Sequence, residues 1–323
     1  MITTHCRICG SCDNNRVHVA REMMFGWRDK FEYVECSSCG CLQIATIPND
    51  SSKYYPPGYY SFGSARPVPR RSFAKSLLKK KRLDYWLTGR GVLGGLLTRA
   101  YGEPELHQWL RDVGLRAHFS ILDVGCGSGS LLLHLYLQGF RHLIGVDPFI
   151  DKDISYENGV KILRGTVLDV QGPVDFIMAN HSFEHMAEPL AAVKAMHRIL
   201  RPGRFLLIST PTVSSFAWRR YGVNWVQLDA PRHLHIHSIK SMQLLAEESG
   251  FELVRVAFES TSLQFLGSEQ YERDIPLMDA KSYKRGLADS IFTVEDVARF
   301  EARAKELNES GEGDSARFLL KKK

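Results

Sequence analysis

The stretch that most constrains how this chain can fold is the glycine-rich sequence DVGCGSG at residues 123–129. It ends an apolar run, FSILDVG, and precedes a leucine-rich segment with helical character, SLLLHLYLQGF. Glycines at alternate positions let the backbone turn sharply from a strand into a helix and approach a ligand closely. The sequence therefore predicts a strand, a ligand-binding loop and a helix in succession.

This loop differs from the loop that binds dinucleotides. A G-x-G-x-x-G pattern would place its third glycine at position 130, which is Ser130, and an acid, Asp123, stands two residues before Gly125. A carboxylate is unfavourable beside a pyrophosphate and favourable beside an ammonium group. The loop therefore favours a nucleoside that carries an amino acid over one that carries phosphates.

From residue 119 onward, predicted strands and helices alternate. Apolar runs of this length are typical of strands buried on both faces of a parallel sheet, with the helices as crossovers. The further strands are HLIGVD (142–147), VKILRG (160–165), DFIMAN (175–180), RFLLIST (204–210) and FELVRVAFE (251–259). The predicted fold class is α/β.

Six of the seven cysteines lie within the first 41 residues. Two C-x-x-C-G motifs stand out among them, because that spacing lets both thiolates of a pair face one tetrahedral ion. Cys12 and Cys41 are alternative ligands, but neither precedes a glycine. The segment between the motifs alternates as a small sheet does. We predict a structural zinc ribbon over residues 1–48, with iron as the alternative metal, and with these ligands: Cys6, Cys9, Cys36 and Cys39.

The chain of 323 residues is long enough for about two domains. After the ribbon we expect a linker over 49–82, a helical cap over 83–118 and a catalytic domain over 119–323. The linker includes a basic segment, residues 66–82, with eight Lys or Arg residues and no acid. Without these eight, 34 basic residues face 36 acidic ones, so the basic excess is local.

The stretches ILDVGCGSG, VDP, NHSFEHMAEP and ILRPGRFLLISTP, taken in order, resemble the motifs of class I S-adenosylmethionine (SAM)-dependent methyltransferases over about residues 119–260. The resemblance implies a Rossmann-like seven-stranded sheet with a reversed final hairpin, and SAM at the carboxyl ends of the strands. The inferred seventh strand must come from residues 315–321, and residues 266–311 would then form a helical insertion.

The resemblance also assigns cofactor contacts. It places Asp123 and the loop backbone at the methionine part of SAM, Asp147 and Pro148 at the ribose, Thr166 and Val167 beside the adenine, and Asn180 near the amino group. Thr166 departs from the family, which often has an acid there. The full predicted set is Asp123, Gly125, Cys126, Gly127, Gly129, Asp147, Pro148, Thr166, Val167, Asn180 and His181.

Two histidine-rich segments supply the predicted catalytic residues. His181 and His185 follow a strand end, and the second segment, WRRYGVNWVQLDAPRHLHIHS, follows the next strand. The stretch LDAPRHL resembles bacterial small-molecule methyltransferases, which makes His233 the preferred base. Asp229 joins these histidines as a catalytic candidate, and the predicted acceptor contacts are Tyr221, Trp225 and Arg232. The alternative is a packed lid in which Trp225 and Leu228 belong to the core.

A metal-assisted version also fits the pattern. His181, Glu184, His185 and His233 resemble the ligands of certain magnesium-dependent RNA-end and quinone O-methyltransferases. Here His181 replaces an acid of that pattern, and a nitrogen ligand suits Mg²⁺ less well.

The predicted function is SAM-dependent O-methylation of a sugar, nucleotide-sugar or lipid-linked saccharide hydroxyl. A four-cysteine ribbon before a methyltransferase domain resembles bacterial enzymes of deoxysugar and surface-polysaccharide biosynthesis. The alternatives are an RNA methyltransferase and a non-catalytic SAM-binding ribbon protein. The ribbon's mixed charge speaks against nucleic acid as a partner. We expect a cytoplasmic protein, because no secretory signal is evident, with residues 66–82 in peripheral contact with an anionic membrane or glycan carrier.

Overall fold

The computed structural model describes residues 5–56, 73–102 and 105–323. Its contacts divide the chain into two compact units that are not consecutive in sequence. The first unit comprises Met1–Pro56, His181–Val193 and Ile208–Leu320, and the second comprises Pro57–Asn180, Lys194–Leu207 and Lys321–Lys323. Residues 57–72, with the middle of the predicted linker and the start of the basic segment, lie outside the described residues.

The second unit contains a mostly parallel sheet. Its strands are β4 Ser120–Val124, β5 His142–Asp147, β6 Ile154–Ser155, β7 Lys161–Arg164, β8 Val174–Asn180 and β9 Leu200–Pro211. The end of β9 belongs to the first unit. The strands lie in the order β9-β8-β4-β5-β7-β6, and the pairs β4–β5, β4–β8 and β5–β7 are parallel. The α/β prediction is confirmed in this coarse form. The short β6, antiparallel to β7, was not expected, so the count of seven strands is not confirmed.

Helices of the second unit precede and follow β4. Among the described residues of this unit, α1 Phe73–Thr88, α2 Val92–Tyr101 and α3 Glu105–Asp112 precede β4, and α4 Ser130–Gln138 follows the glycine loop. Leu83 and Trp86 of α1 are fully buried, as are the core residues Leu122 and Ile162 of the sheet. The helix α5 Pro189–Ile199 begins in the first unit and ends in the second.

In the first unit, the cysteine-rich segment forms an antiparallel sheet of order β1-β2-β3-β10. The cysteine-rich segment supplies β1 Arg16–Arg21, β2 Lys30–Glu35 and β3 Leu42–Ile44. The fourth strand, β10 His235–Ile236, comes from the second histidine-rich segment and pairs with β3 through His235–Gln43 and Ile236–Leu42. The ribbon is therefore built into the same unit as the histidines.

The rest of the first unit combines helices with two strands. Its elements are α6 Phe216–Tyr221, α7 Ile239–Glu248, β11 Phe251–Phe258, α8 Leu263–Glu272, α9 Val294–Glu309 and β12 Ser315–Lys322. The strand β12 lies between β11 and β9, which confirms that residues 315–321 pair within the sheet. Ala316, Phe318 and Leu320 are fully buried, so alternate side chains of this strand belong to the core.

Candidate functional site

The glycine loop of the second unit has the backbone that its sequence predicts. Gly125, Gly127 and Gly129 have φ angles of 74°, 53° and 83°, in the left-handed region that favours glycine. Gly129 is the N-cap of α4, and a Cβ there would lie 2.5 Å from Cδ1 of Ile162. The loop therefore needs glycine for its conformation and, at Gly129, for space.

Asp147, at the end of β5, is buried and holds the loop. Its Oδ2 accepts a 2.7 Å hydrogen bond from the backbone N–H of Gly127, and its Oδ1 accepts a 2.8 Å bond from that of Phe149. Each carboxylate oxygen can accept more than one hydrogen bond, so ribose hydroxyls can still be bound. The structure thus brings Asp147 and the loop together, as predicted.

Asp123, at the end of β4, is also buried. Burial, and then the negative charge of Asp147, raise the pKa of Asp123 to about 7. Burial and the two nearby carboxylates also raise the pKa of the Cys126 thiol. A thiol that stays protonated is a poor nucleophile, so Cys126 acts as a loop residue.

The turn after β7 carries the predicted adenine contacts. Thr166 caps the short 3-10 helix Val167–Asp169, and the carboxylate of Asp169 accepts a 2.8 Å bond from the N–H of Thr166. Val167 is buried as a whole residue, with 3% of its surface exposed. The acid missing at Thr166 is thus present three residues later.

Two apolar side chains in this region were not predicted as contacts. Phe149, after β5, is 50% exposed and Leu168, after β7, is 51% exposed. Exposed apolar side chains at the carboxyl ends of parallel strands suit a flat aromatic ligand. Pro148 and Asn180 are exposed as well. A single sequence does not show which large apolar residues are exposed, so it gave no signal for Phe149 and Leu168.

In the first unit, four residues form what we call the histidine cluster: His181, Glu184, His185 and His233. An oxygen of the buried Glu184 carboxylate lies 3.7 Å from Nδ1 of His181 and 3.9 Å from Nε2 of His233. Donor atoms of Glu184, His185 and His233 all lie within 4.8 Å of one another, close enough to hold one metal ion. The structure brings together all four residues of the predicted pattern.

Backbone carbonyls fix the two inner imidazoles. Nδ1 of His185 donates to the carbonyl of Arg232 at 2.8 Å, and Nδ1 of His233 donates to that of Gln227 at 2.7 Å. In the neutral form each ring then has its lone pair on Nε2. The two rings lie 4.8 Å apart between centroids. Each imidazole therefore presents an acceptor atom of defined position.

Charge in the histidine cluster is set by burial and by mutual contact. Burial alone would raise the pKa of Glu184, but His181, with His185 and His233, lowers it to about 2. Burial, with the neighbouring His185, lowers the pKa of His233 to about 4. Burial would lower the pKa of His181, yet Glu184 raises it overall. At neutral pH the cluster holds an ionised carboxylate beside a neutral His233.

The other predicted residues of this segment have internal partners. Arg232 is fully buried and donates to the carboxylates of Asp229 and Glu22 and to the carbonyl of Tyr54. The buried Trp225 donates to Asp314, and the hydroxyl of Tyr221 donates to Glu269. These contacts favour the packed lid over acceptor contacts by Tyr221, Trp225 and Arg232. Asp229 likewise pairs with Arg232, and its Oδ2 lies 3.9 Å from Nε2 of His233.

The four predicted ribbon cysteines also come together. Sγ of Cys6 lies 3.6 Å from that of Cys39, and Sγ of Cys9 lies 3.5 Å from that of Cys36. Sulfurs around a tetrahedral Zn²⁺, at about 2.3 Å from the metal, are about 3.8 Å apart. Cys12 and Cys41 lie outside this cluster. The donor set fits a four-thiolate metal.

The two C-x-x-C-G motifs have the same local structure. The N–H of Gly10 donates to the carbonyl of Cys6 at 2.9 Å, and that of Gly40 donates to Cys36 at 2.9 Å. Both glycines have left-handed φ angles, 75° and 72°. The repeated sequence therefore produces two matching turns that direct their thiols to one point.

Comparison with known proteins finds a family model that matches the middle of the chain. Residues 96–256 match the family model described as "Methyltransferase domain". The "Ubiquinone biosynthesis O-methyltransferase" of Bordetella avium (strain 197N) is 26% identical over 168 residues, covering 46% of this chain and 69% of that protein. The protein of the same name in Xylella fastidiosa (strain M23) is 27% identical over 128 residues, 36% of this chain and 52% of that protein. The matched region spans about half of that second relative.

Among solved structures, mycolic acid cyclopropane synthase CmaA1 complexed with SAH and CTAB has 19% sequence identity and a TM-score of 0.44, covering 78% of this chain and 94% of that chain. The family model and the relatives support SAM-dependent methyltransferase activity. The relatives' names refer to ubiquinone biosynthesis and not to sugar biosynthesis.

Proposed function

We propose that this protein methylates a hydroxyl oxygen of a small molecule, with SAM as the methyl donor. The observation that carries the proposal is the pair of fixed imidazoles, His185 and His233, which each have a donor atom within 4.8 Å of the ionised Glu184 carboxylate. A hydroxyl must lose its proton as it is methylated, and such a pair can accept it. The name O-methyltransferase in the relatives supports oxygen as the acceptor atom.

SAM supplies an electrophilic methyl group on its sulfonium. In the second unit, Asp123 in its ionised form would pair with the ammonium group of the methionine part, and Asp147 would accept hydrogen bonds from the ribose. The exposed Phe149 and Leu168 would lie against the adenine. In the histidine cluster, Nε2 of His233 would take the proton of the attacking hydroxyl, and Glu184 would stabilise the resulting imidazolium.

For the acceptor, we propose the hydroxyl of a saccharide, nucleotide-sugar or lipid-linked saccharide, and the relatives supply a second candidate, an oxygen acceptor of ubiquinone biosynthesis. The test measures S-adenosylhomocysteine released with a panel of nucleotide-sugars, with catechol as a simple phenol, and with total RNA. Turnover on nucleotide-sugars alone supports the saccharide, and turnover on catechol alone supports the second candidate. Turnover on RNA, or SAM binding without any turnover, would support the alternative functions.

A metal-assisted reaction is the second candidate mechanism, favoured by the donor atoms of Glu184, His185 and His233. Two neutral imidazoles and one carboxylate suit Zn²⁺, Mn²⁺ or Fe²⁺ better than Mg²⁺. Methyltransferase activity should then disappear when EDTA is added and be restored by one of these ions. In the variants His185→Ala and His233→Ala, the same ion should not restore activity. Activity that survives EDTA, in protein that contains no metal beyond the ribbon's, supports the proton-transfer mechanism.

We also propose that Cys6, Cys9, Cys36 and Cys39 hold a structural Zn²⁺. Elemental analysis should find one zinc per chain, retained in Cys12→Ser and lost in Cys9→Ser. The exposed Cys12 is the matched control, because it lies in the same segment but outside the cluster. Iron in place of zinc would identify the alternative metal, and neither metal would refute the site.

A further inference from the structure

The helices α1 and α2 form a hairpin in which glycines set the contact. A Cβ at Gly94 would lie 2.4 Å from the carbonyl oxygen of Lys81 and 2.5 Å from Cβ of Tyr85. A Cβ at Gly95 would lie 3.0 Å from the Tyr85 ring. The face of α2 that carries these glycines is therefore packed closely on α1, and the opposite face must point away from it.

That opposite face is apolar and exposed. Val92 is 84% exposed, Leu96 63% and Leu93 48%, and Ala100 is exposed too. With 3.6 residues per turn, these four side chains fall within an arc of about 100°, which we call the α2 face. An ordinary surface helix turns its apolar stripe inward. The α2 face does the reverse, and a contiguous exposed apolar surface indicates an interaction site.

The net charge of the whole chain is concentrated in the segment that forms this hairpin. Residues 73–101 contain seven basic residues, Lys75, Lys79, Lys80, Lys81, Arg82, Arg90 and Arg99, against the single acid Asp84, a net charge of +6. The remainder of the chain has 35 basic and 35 acidic residues, so it is neutral. Lys80, Lys81, Arg90 and Arg99 are exposed, and so are Leu77 and Leu78 of α1. Of these cations, Arg99 stands three residues after Leu96 on α2 and therefore borders the α2 face.

We propose that the α2 face docks on an anionic lipid bilayer, with α2 lying in the interface. Apolar side chains flanked by cations suit the boundary between acyl chains and anionic headgroups. A second copy of this chain would bring one hairpin of net charge +6 close to another, which is repulsive. Among the described helices, none has the length and hydropathy needed to cross a membrane. The proposed contact is therefore peripheral, and it does not depend on the acceptor.

Vesicle flotation of the full-length protein tests this proposal. We expect binding to vesicles of phosphatidylcholine and phosphatidylglycerol (7:3) at low salt, at least tenfold weaker binding to phosphatidylcholine alone, and loss of binding at 0.5 M salt. The double variant Val92→Ser/Leu96→Ser should bind the anionic vesicles at least tenfold more weakly. Val294→Ser is the matched control, because Val294 is exposed but isolated at the start of α9, and it should bind as the wild type does.

Three outcomes would overturn the proposal. Wild-type protein that does not float with the anionic vesicles at low salt excludes a lipid surface. Equal binding by the double variant and the wild type excludes the α2 face. Concentration-dependent dimerisation that the double variant abolishes, without vesicle binding by the wild type, identifies a second copy of the chain as the occupant. Because both substituted positions are exposed, an unchanged melting temperature will confirm that the double variant is folded.

Discussion

The hydroxyl of Tyr33, in the ribbon strand β2, donates a 2.8 Å hydrogen bond to the backbone carbonyl of His233. Both residues are buried, and both lie in the first unit. The ribbon side of this contact is fixed by β2 and β3, where Tyr33 pairs with Ile44. The cysteine-rich segment is therefore bonded directly to the backbone of His233, the residue proposed above as the base.

Removing this hydrogen bond should impair the proposed chemistry more than cofactor binding. We expect Tyr33→Phe to lower kcat by roughly three- to tenfold, to leave the KM for SAM unchanged and to lower the free energy of unfolding by about 1 kcal/mol. Steady-state kinetics and chemical denaturation measure these quantities. Tyr85→Phe, a change of the same kind in the second unit, is the control. An unchanged kcat in Tyr33→Phe would show that the contact has no positioning role.

A second ribbon contact is a buried ion pair. Arg232 lies 2.9 Å from the Glu22 carboxylate, which also accepts hydrogen bonds from the N–H groups of Phe25, Gly26 and Trp27. Removing one member of a buried pair leaves the other charge uncompensated. We expect Arg232→Met to lower the free energy of unfolding by about 3 to 5 kcal/mol. Thermal and urea unfolding measure the change.

The control for this variant is Arg299→Met, which removes an exposed pair with Asp296 on α9. Exposed pairs contribute about 0 to 1 kcal/mol, so its stability should hardly change. If both variants lose the same small amount, the pair of Arg232 and Glu22 does not stabilise the ribbon contact. A role of Arg232 in acceptor binding would instead appear as a raised acceptor KM at unchanged stability.

The sequence predicted the parts of these sites that depend on short-range spacing. Two C-x-x-C-G motifs and one glycine loop specify their own turns, so Cys6 and Gly129 lie where expected. The sequence did not show that β10 pairs with β3, because that contact joins distant segments through only two residue pairs. Trp225 and Arg232 were predicted as acceptor contacts because an indole and a guanidinium are suited to binding a ligand. Only the structure shows that Trp225 donates to Asp314 and that Arg232 donates to Glu22.

Asp123 should make SAM binding depend on pH. Its pKa is about 7 without ligand, because burial and Asp147 disfavour the charged form. Pairing with an ammonium group requires the ionised form, so below pH 7 binding must first remove a proton. The Kd for SAM should therefore rise roughly tenfold per unit as pH falls below 7, and level off above it. Calorimetry between pH 5 and 8 measures this. Asp123→Asn should bind more weakly, with a flat profile, and an identical slope in the variant would exclude Asp123.

His237 should make folding stability depend on pH. Burial lowers its pKa to about 4, and Nε2 has no hydrogen-bond partner among the described residues. The unfolded state takes up a proton at about pH 6.5, whereas the folded state does so only near pH 4. The contribution of His237 to the free energy of unfolding is therefore fully present above pH 6.5. It falls by about 1.4 kcal/mol per pH unit as the pH decreases towards 4.

The measurement is the difference between wild type and His237→Leu in urea unfolding at pH 4.5, 5.5 and 6.5. Asp123, whose folded pKa is raised to about 7, contributes in the opposite direction, but it contributes equally to both proteins and cancels. The variant should gain stability relative to wild type as pH falls. A constant difference across this range would mean that His237 is not held neutral by burial.

The carboxyl-terminal strand should be essential for the sheet. Since β12 lies between β11 and β9, deleting residues 313–323 removes the central member of three neighbouring strands. The exposed edge of β9 would then be free to pair with other chains, so we expect insoluble protein. Phe318→Ala tests the same strand without the deletion: Phe318 is fully buried, and its truncation should lower the free energy of unfolding by about 3 to 5 kcal/mol. Lys321→Ala, at an exposed position of the same strand, should change it little. A soluble deletion variant with the wild-type melting temperature would show that β12 adds nothing to the fold.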